Sequence, residues 1–320
     1  MKFIFVFGGI MSASNQVICL MGPTCAGKTD LALQLHAILP VEIISVDSAM
    51  VYRGMDIGTA KPSQAMRQAI PHHLIDICDP AESYSAGRFC VEANALIQAV
   101  FRQQKIPLLV GGTMLYYRAL QQGLAVLPTQ DEAIRSALLT RMQQEGLASL
   151  YVMLQAVDPV AAARLNAHDP QRIVRALEVY QVTGKPISYW WQQPPALNTV
   201  PMMNIGLLPD REALPARIEA RFHAMLQQGF LEEVAQLYAR GDLHEALPAI
   251  KSVGYKQAWQ YLAGQLHYDE MVARAIIATR QLAKRQFTWL RSWPNLQVVF
   301  AESPDVLNQV KKIINEHLVR

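Results

Sequence analysis

"MGPTCAGKTDLAL", residues 21–33, decides how this chain is read. Within it, Gly22-Pro23-Thr24-Cys25-Ala26-Gly27-Lys28-Thr29 fits GxxxxGK[ST] in full. The apolar run before it, "QVICLM" (16–21), reads as a buried strand. The stretch after it, "TDLALQLHAIL" (29–39), has helical spacing, with Leu31, Leu35 and Ile38 on one side and Pro40 ending it. A strand, a glycine-bearing turn and a helix are what phosphate recognition needs. The glycines let backbone N–H groups turn toward phosphate oxygens, and the helix N-terminus adds the positive end of its dipole. Lys28 supplies a mobile cation and the Thr29 hydroxyl is the usual Mg²⁺ ligand of such a loop. The pattern is specific for phosphate and not for a chemistry. A nucleotide to be hydrolysed and another phosphorylated compound fit it equally well.

Working outward, "VEIISVD" (41–47) is a β-branched strand, and "IPLLV" (106–110) is another that runs through "GGT" into a helix. Strands alternating with helices predict an α/β fold, a doubly wound parallel sheet. Ligands of such sheets sit beyond the carboxyl ends of the strands. Three segments are expected to meet there: Gly22–Thr29, Asp47–Ser48 and Gly111–Thr113. From about Gln121 to Pro195 the pattern is helical only, and "DPQRIVRALEVYQVTG" carries an Asp169 cap, Pro170 in the first turn and Gly184 at the end. "WWQQPPALNTVP" reads as a linker, "MNIGLL" (203–208) as a strand returning to the sheet, and 211–228, 230–240 and 270–291 as helices. The expected organisation is a phosphate-loop core of residues 15–120 and 200–320, interrupted by a helical insertion at 121–199 and preceded by an extension at 1–14.

Composition narrows the class. The 320 residues are 51% hydrophobic, ample for a large core, and the net charge of +3 says little about partners. Four cysteines without a CxxC pair argue against a disulfide framework or a cysteine zinc site and fit a reducing cytoplasm. "MKFIFVFGGIM" is too short to span a bilayer, which takes about 20 residues. Met11 is the expected true start, with residues 1–10 an upstream extension. No membrane association is expected, and the chain is expected to be a monomer.

Asp47, at the end of an apolar strand, is the best single carboxylate. Spacing leaves open whether it serves a metal shell or acts as a general base. Asp76 and Asp79 compete but read as structural. Arg217 and Arg221 share a helix face, either paired with Glu219 or Glu233 or clamping a phosphate. Gln171, Arg172 and Arg175 open a capped helix, where Arg175 either pairs with Glu178 or contacts an anion or RNA. Arg274, Arg280, Lys284, Arg285 and Arg291 occur with no acidic residue between Met271 and Ala301, interleaved with Phe287 and Trp289. Cations that hold phosphates beside aromatics that stack on splayed bases suit RNA. The competing reading places the aromatics in the core with the charges merely solvated.

Together the segments "MGPTCAGKT", "ISVDSAMVYRGMDIGTAKP", "HHLIDICDP", "LLVGGTMLYYRAL", "VDPVAAARLNAHDPQRIVRALEVY", "GYKQAW" and "ATRQLAKRQFTWLR" closely resemble the bacterial tRNA dimethylallyltransferases from about Val17 to Trp293. The resemblance implies transfer of a dimethylallyl group from dimethylallyl diphosphate to N6 of the adenosine 3′ of the anticodon, with Mg²⁺ as cofactor and the tRNA anticodon stem-loop as partner. Asp47 then falls on the general base, Gly22 to Thr29 on the diphosphate site, Thr29 on the metal ligand, and Lys28 and Arg221 on cations at the leaving group. Segments implied to contact tRNA are Asp47, Ser48, Ala49 and Met50; Thr113; Arg135; and Gln171, Arg172, Ile173, Val174 and Arg175. Two more are Lys251, Ser252, Val253, Gly254, Tyr255 and Lys256, and then Lys284, Arg285, Gln286, Phe287, Thr288, Trp289, Leu290 and Arg291. The competing functions are prenylation of free adenine nucleotides, an RNA-stimulated ATPase or small-molecule kinase, and a non-catalytic RNA-binding module.

Overall fold

The computed structural model describes residues 15–123, 125, 127–193 and 200–318. The expectations for residues 1–14, and for 194–199 of the linker, lie outside the described residues. The chain folds into two compact units, residues 1–119 with 199–320, and residues 120–198.

In chain order the first unit opens with β1 (Val17–Met21), α1 (Lys28–Ile38), β2 (Val41–Val46), α2 (Gln64–Ala69), β3 (His72–His73), α3 (Ala86–Arg102), β4 (Ile106–Gly111) and α4 (Met114–Gln122), whose last three residues belong to the second unit. The second holds α5 (Glu132–Glu145), α6 (Leu147–Val157), α7 (Pro159–Arg164), α8 (Pro170–Thr183) and α9 (Ile187–Trp191). The first unit then resumes with β5 (Met202–Leu208), α10 (Leu214–Gln227), α11 (Phe230–Ala239), α12 (Tyr255–Leu262), α13 (Tyr268–Arg291), β6 (Leu296–Phe300) and α14 (Val306–Leu318).

The six strands form one sheet in the order β3-β2-β4-β1-β5-β6, and every neighbouring pair is parallel. β1, β2 and β4 are almost wholly buried, as strands covered by helices on both faces must be. On one face Ile18, Leu20, Ile43, Leu108 and Ile205 pack with Leu31 and Leu35 of α1 and Val310 and Ile314 of α14. The α/β architecture read from the sequence is therefore correct, and it puts the loops after β1, β2 and β4 at one carboxyl edge.

Several local expectations are corrected. Ile38 is 46% exposed, because α1 covers the sheet with Leu31, Ala32 and Leu35 and its last turn runs past it. Trp190 and Trp191 belong to α9 and pack against the core of the helical unit, so the linker reading fails there. The helix expected from residue 211 starts at Leu214, and the one expected from 270 starts at Tyr268. α2, β3, α3, α12, β6 and α14 have no counterpart in the sequence reading.

Inside the helical unit the expected caps are present. Asp169 accepts the Arg172 N–H at 3.1 Å, Pro170 opens α8, and Gly184 ends it at φ 67°. Leu150, Leu154, Ile173, Val174 and Leu177 form its core. No helix of the described residues is long and apolar enough to cross a membrane.

Candidate active site

The phosphate loop starts where β1 ends, and close packing constrains it on every side. A Cβ on Gly22 would lie 2.6 Å from the Leu207 carbonyl oxygen, and one on Gly111 would lie 2.0 Å from that of Val46. Only glycine lets these strand ends approach so closely. Gly27 caps α1 at φ 81°, directing the first-turn N–H groups outward. Cys25 also sits in the left-handed region at φ 61°, a conformation that costs a residue with a Cβ on the order of 1–3 kcal/mol.

The loops after β1, β2 and β4 converge on one cavity of about 1120 Å³. Lys28, Thr29, Asp47, Thr113, Arg217, Arg221 and Arg285 all line it. The Thr113 N–H donates to the Val46 carbonyl at 3.2 Å, and the Ser48 N–H donates to the Thr113 hydroxyl oxygen at 3.0 Å. These two bonds tie the β2 and β4 loops together.

Asp47 lies just past β2 and is half-buried. Its Oδ1 accepts the Ala49 and Met50 N–H groups at 2.8 and 3.2 Å, a turn that fixes the carboxylate without neutralising it. Among the described residues its Oδ2 accepts no hydrogen bond, and Asp47 has no ion pair.

Lys28 donates to the Pro23 carbonyl at 2.7 Å. Burial pulls its pKa down to about 8; the Asp47 charge opposes that shift and Arg221 adds to it. Arg221 Nη1 lies 3.5 Å from the Cys25 sulfur, so this guanidinium leans on the loop itself. The remaining cations are disposed otherwise than expected. Arg217 pairs with Glu302 at 2.6 Å, Glu219 pairs with Arg280, and among the described residues Glu233 takes no arginine. Instead Glu233 accepts the N–H groups of Asp56, Ile57 and Gly58 at 2.8, 2.7 and 3.2 Å, and the Tyr255 hydroxyl. The sequence reading missed this clamp on the 56–58 turn. Asp76 binds Lys61 and Arg67 and Asp79 binds Arg240, both structural as expected.

Of the remaining candidates, Ala49, Met50, Lys251, Ser252, Val253, Gly254 and Tyr255 line the same cavity. Lys256 and Lys284 are exposed without lining it. α13 has two faces. Lys284, Arg285, Thr288 and Arg291 are exposed, whereas Gln286, Phe287 and Leu290 are buried and Trp289 is intermediate. Phe287 is thus a core residue, packed with Leu214, Ile218 and Ala283. Trp289 lines the cavity with Arg118 over its ring at 5.6 Å. In the helical unit Arg135 and Arg175 both bind Glu178, at 3.4 and 3.0 Å, while Gln171 and Arg172 are exposed and Ile173 and Val174 are buried.

Comparison with known proteins agrees with this geometry. A family model described as IPP transferase matches residues 50–293. The tRNA dimethylallyltransferase of Coxiella burnetii (strain Dugway 5J108-111) is 51% identical over 303 residues, covering 94% of this chain and 97% of that one. Among solved structures, the tRNA isopentenylpyrophosphate transferase of Bacillus halodurans superposes with a TM-score of 0.70 at 33% identity, over 95% of this chain and 97% of that one. A eukaryotic dimethylallyltransferase acting on tRNA gives a TM-score of 0.78 at 27% identity, over 95% of this chain and 79% of that one. A match over residues 50–293, joined to the phosphate loop and the shared architecture, means that the chain belongs to the IPP transferase family.

Proposed function

We propose that the chain is a tRNA dimethylallyltransferase, acting as a cytoplasmic monomer. It transfers the dimethylallyl group of dimethylallyl diphosphate to N6 of the adenosine 3′ of the anticodon. The observation that carries this reading is a complete phosphate loop and an ion-pair-free carboxylate, Asp47, facing one cavity.

In the proposed reaction the allylic C–O bond breaks with its electron pair going to the diphosphate. The N6 lone pair forms the new C–N bond, and the proton leaving N6 passes to Asp47 Oδ2. Lys28, Arg221 and the N–H groups that open α1 offset the charge growing on the leaving oxygens, a preorganised effect that is often the largest catalytic term. A positioned base contributes about 10²–10⁴-fold. The Thr29 hydroxyl, in the first turn of α1, would hold Mg²⁺. Such an ion takes few protein ligands beside phosphate oxygens, and this cavity is sparing in carboxylates. Bound there, Mg²⁺ would supply charge neutralisation of the diphosphate. The amine is out of reach in a stacked loop, so the adenine must be flipped into the cavity.

Segments Asp47–Met50, Thr113 and Lys251–Tyr255 would surround the flipped base, with Lys256 contacting the RNA outside the cavity. Lys284, Arg285 and Arg291 would hold the RNA backbone, as would Arg135 and Gln171–Arg175 of the helical unit. Because Ile173 and Val174 are core side chains, Arg172 and Gln171 would make the exposed contacts there.

The test uses dimethylallyl diphosphate labelled in the allyl group, Mg²⁺, and either unmodified tRNA or free AMP, beside an ATP-hydrolysis control. Label in tRNA alone is expected. Label in AMP would move the chain to nucleotide prenylation, and phosphate release from ATP without transfer would overturn the reading.

A further inference from the structure

Gln286 lies within the segment that the resemblance implies for RNA contact, yet it does not face solvent. It is 7% exposed on the inner face of α13, in line with Ala283, Phe287 and Leu290. Its Oε1 accepts the Thr24 N–H at 2.9 Å, and its Nε2 donates to the Gly112 carbonyl at 2.9 Å. A backbone N–H can only donate and a carbonyl can only accept, so the amide has one orientation that serves both partners. A single side chain therefore joins the β1–α1 loop, the β4–α4 loop and α13, across sequence separations of 262 and 174 residues.

We propose that Gln286 is a positioning residue for the phosphate loop rather than an RNA contact. The assignment deepens the reading of the site given above and rests on it. By holding the Thr24 N–H, the amide removes that donor from the phosphate set and fixes the direction in which the loop continues through Cys25 to Lys28. Gln286 borders the cavity, but on its Gly112 side the space beside the amide is filled. A Cβ on Gly112 would lie 2.4 Å from Gln286 Nε2, so residue 112 is glycine where the amide passes. The opposite face of the same helix carries exposed Lys284 and Arg285. A helix that grips the loop from within and offers cations outward couples the two substrate sites through one rigid element.

The experiment compares Gln286→Leu, Gln286→Glu and Gly112→Ala with the wild-type chain. Inorganic diphosphate with Mg²⁺ is titrated by calorimetry, a separate anticodon stem-loop RNA is titrated at several salt concentrations, and transfer is timed at saturation. Leucine keeps the bulk and loses both bonds. Glutamate still accepts from Thr24 but sets an oxygen against the Gly112 carbonyl. Gly112→Ala displaces the amide from the other side with Gln286 intact.

Diphosphate affinity is expected to fall by about tenfold. kcat is expected to fall on the order of 10²-fold, the scale of a small misplacement of reacting groups. RNA affinity and its salt slope are expected to stay within about twofold. A loss of RNA affinity with diphosphate binding unchanged would overturn the proposal and make Gln286 an RNA contact. No change in either would overturn it as well. If the leucine variant does not fold, the glutamate and Gly112→Ala variants decide. The diphosphate titration involves no transfer, so it judges Gln286 even if wild-type protein fails to label tRNA.

Discussion

Two carboxylates, one in each unit, have opposite surroundings. Glu178, on α8, is completely buried and answered by two arginines, with a further bond from the Asp131 N–H at 3.0 Å. Asp47 is half-buried at the carboxyl edge of the sheet and has two backbone N–H groups on one oxygen and no ion-pair partner among the described residues. A buried charge with a hydrogen bond on each oxygen and two counter-ions beside it holds a fold together. A carboxylate fixed by one oxygen and left without a counter-ion keeps its other oxygen open to a ligand. The contrast sets an acid locked into the fold against the one proposed above to take part in the reaction.

The widest test of that contrast is Asp47→Ala. Turnover is expected to drop by about 10²–10⁴-fold. The thermal midpoint should barely move and RNA binding should stay near normal; collapse of RNA binding would mean that Asp47 chiefly positions the base. Next come two arginines one turn apart on α10. Arg221→Ala, which removes the guanidinium beside Cys25, is expected to cost on the order of 10²-fold in kcat/KM. Arg217→Ala breaks only an exposed pair with Glu302, worth about 0–1 kcal/mol, and should change kcat/KM by no more than about threefold. Equal losses in steady-state assays would erase the distinction between them.

On the structural side, Glu178→Ala leaves Arg135 and Arg175 without their shared acceptor. Chemical denaturation should register a loss of about 2–3 kcal/mol, below the 3–5 kcal/mol of a fully enclosed pair because both arginines are partly exposed.

A smaller effect comes from Lys28. Its pKa of about 8 lies below the ordinary lysine value near 10.4. Between those values the unfolded chain binds more protons than the folded one, so stability should rise with pH across that window. As pH rises through about 8 the loop loses its cation, so diphosphate affinity measured by calorimetry should fall by about tenfold from pH 7 to pH 9. Parallel changes in the two quantities would contradict the assignment. The slightest effect expected is from Cys25→Gly, which relieves the left-handed residue. It should raise stability by no more than about 1 kcal/mol in a melting experiment while kcat stays within about twofold.

What is legible in the sequence follows from short-range signals. β1, α1, β2 and β4 carry dense apolar runs bounded by glycine or proline, and all are found within a residue or two. β6 escapes because it is mostly exposed along its length, and β3 because two residues leave no period to read. The phosphate loop and Asp47 are visible as motif and strand end. The 56–58 turn held by Glu233 and the partners of Arg217 and Gln286 are not, since each lies 85 or more residues away and nothing local distinguishes one glutamate or glutamine from the next. The basic stretch on α13 is visible as a composition, but its division into an inner and an outer face needs the packing against α10.

The sheet order also bears on how the chain is made. β1 lies between β4 and β5, so the strand that leads into the phosphate loop gains its second neighbour only after Met202–Leu208 have been synthesised. Residues 120–198 emerge from the ribosome first and possess a core of their own. Until the later strand follows, the nascent chain presents one side of β1 as an open, wholly apolar edge, the kind of surface that pairs with other chains. A message truncated before codon 202 is therefore expected to yield an aggregation-prone product.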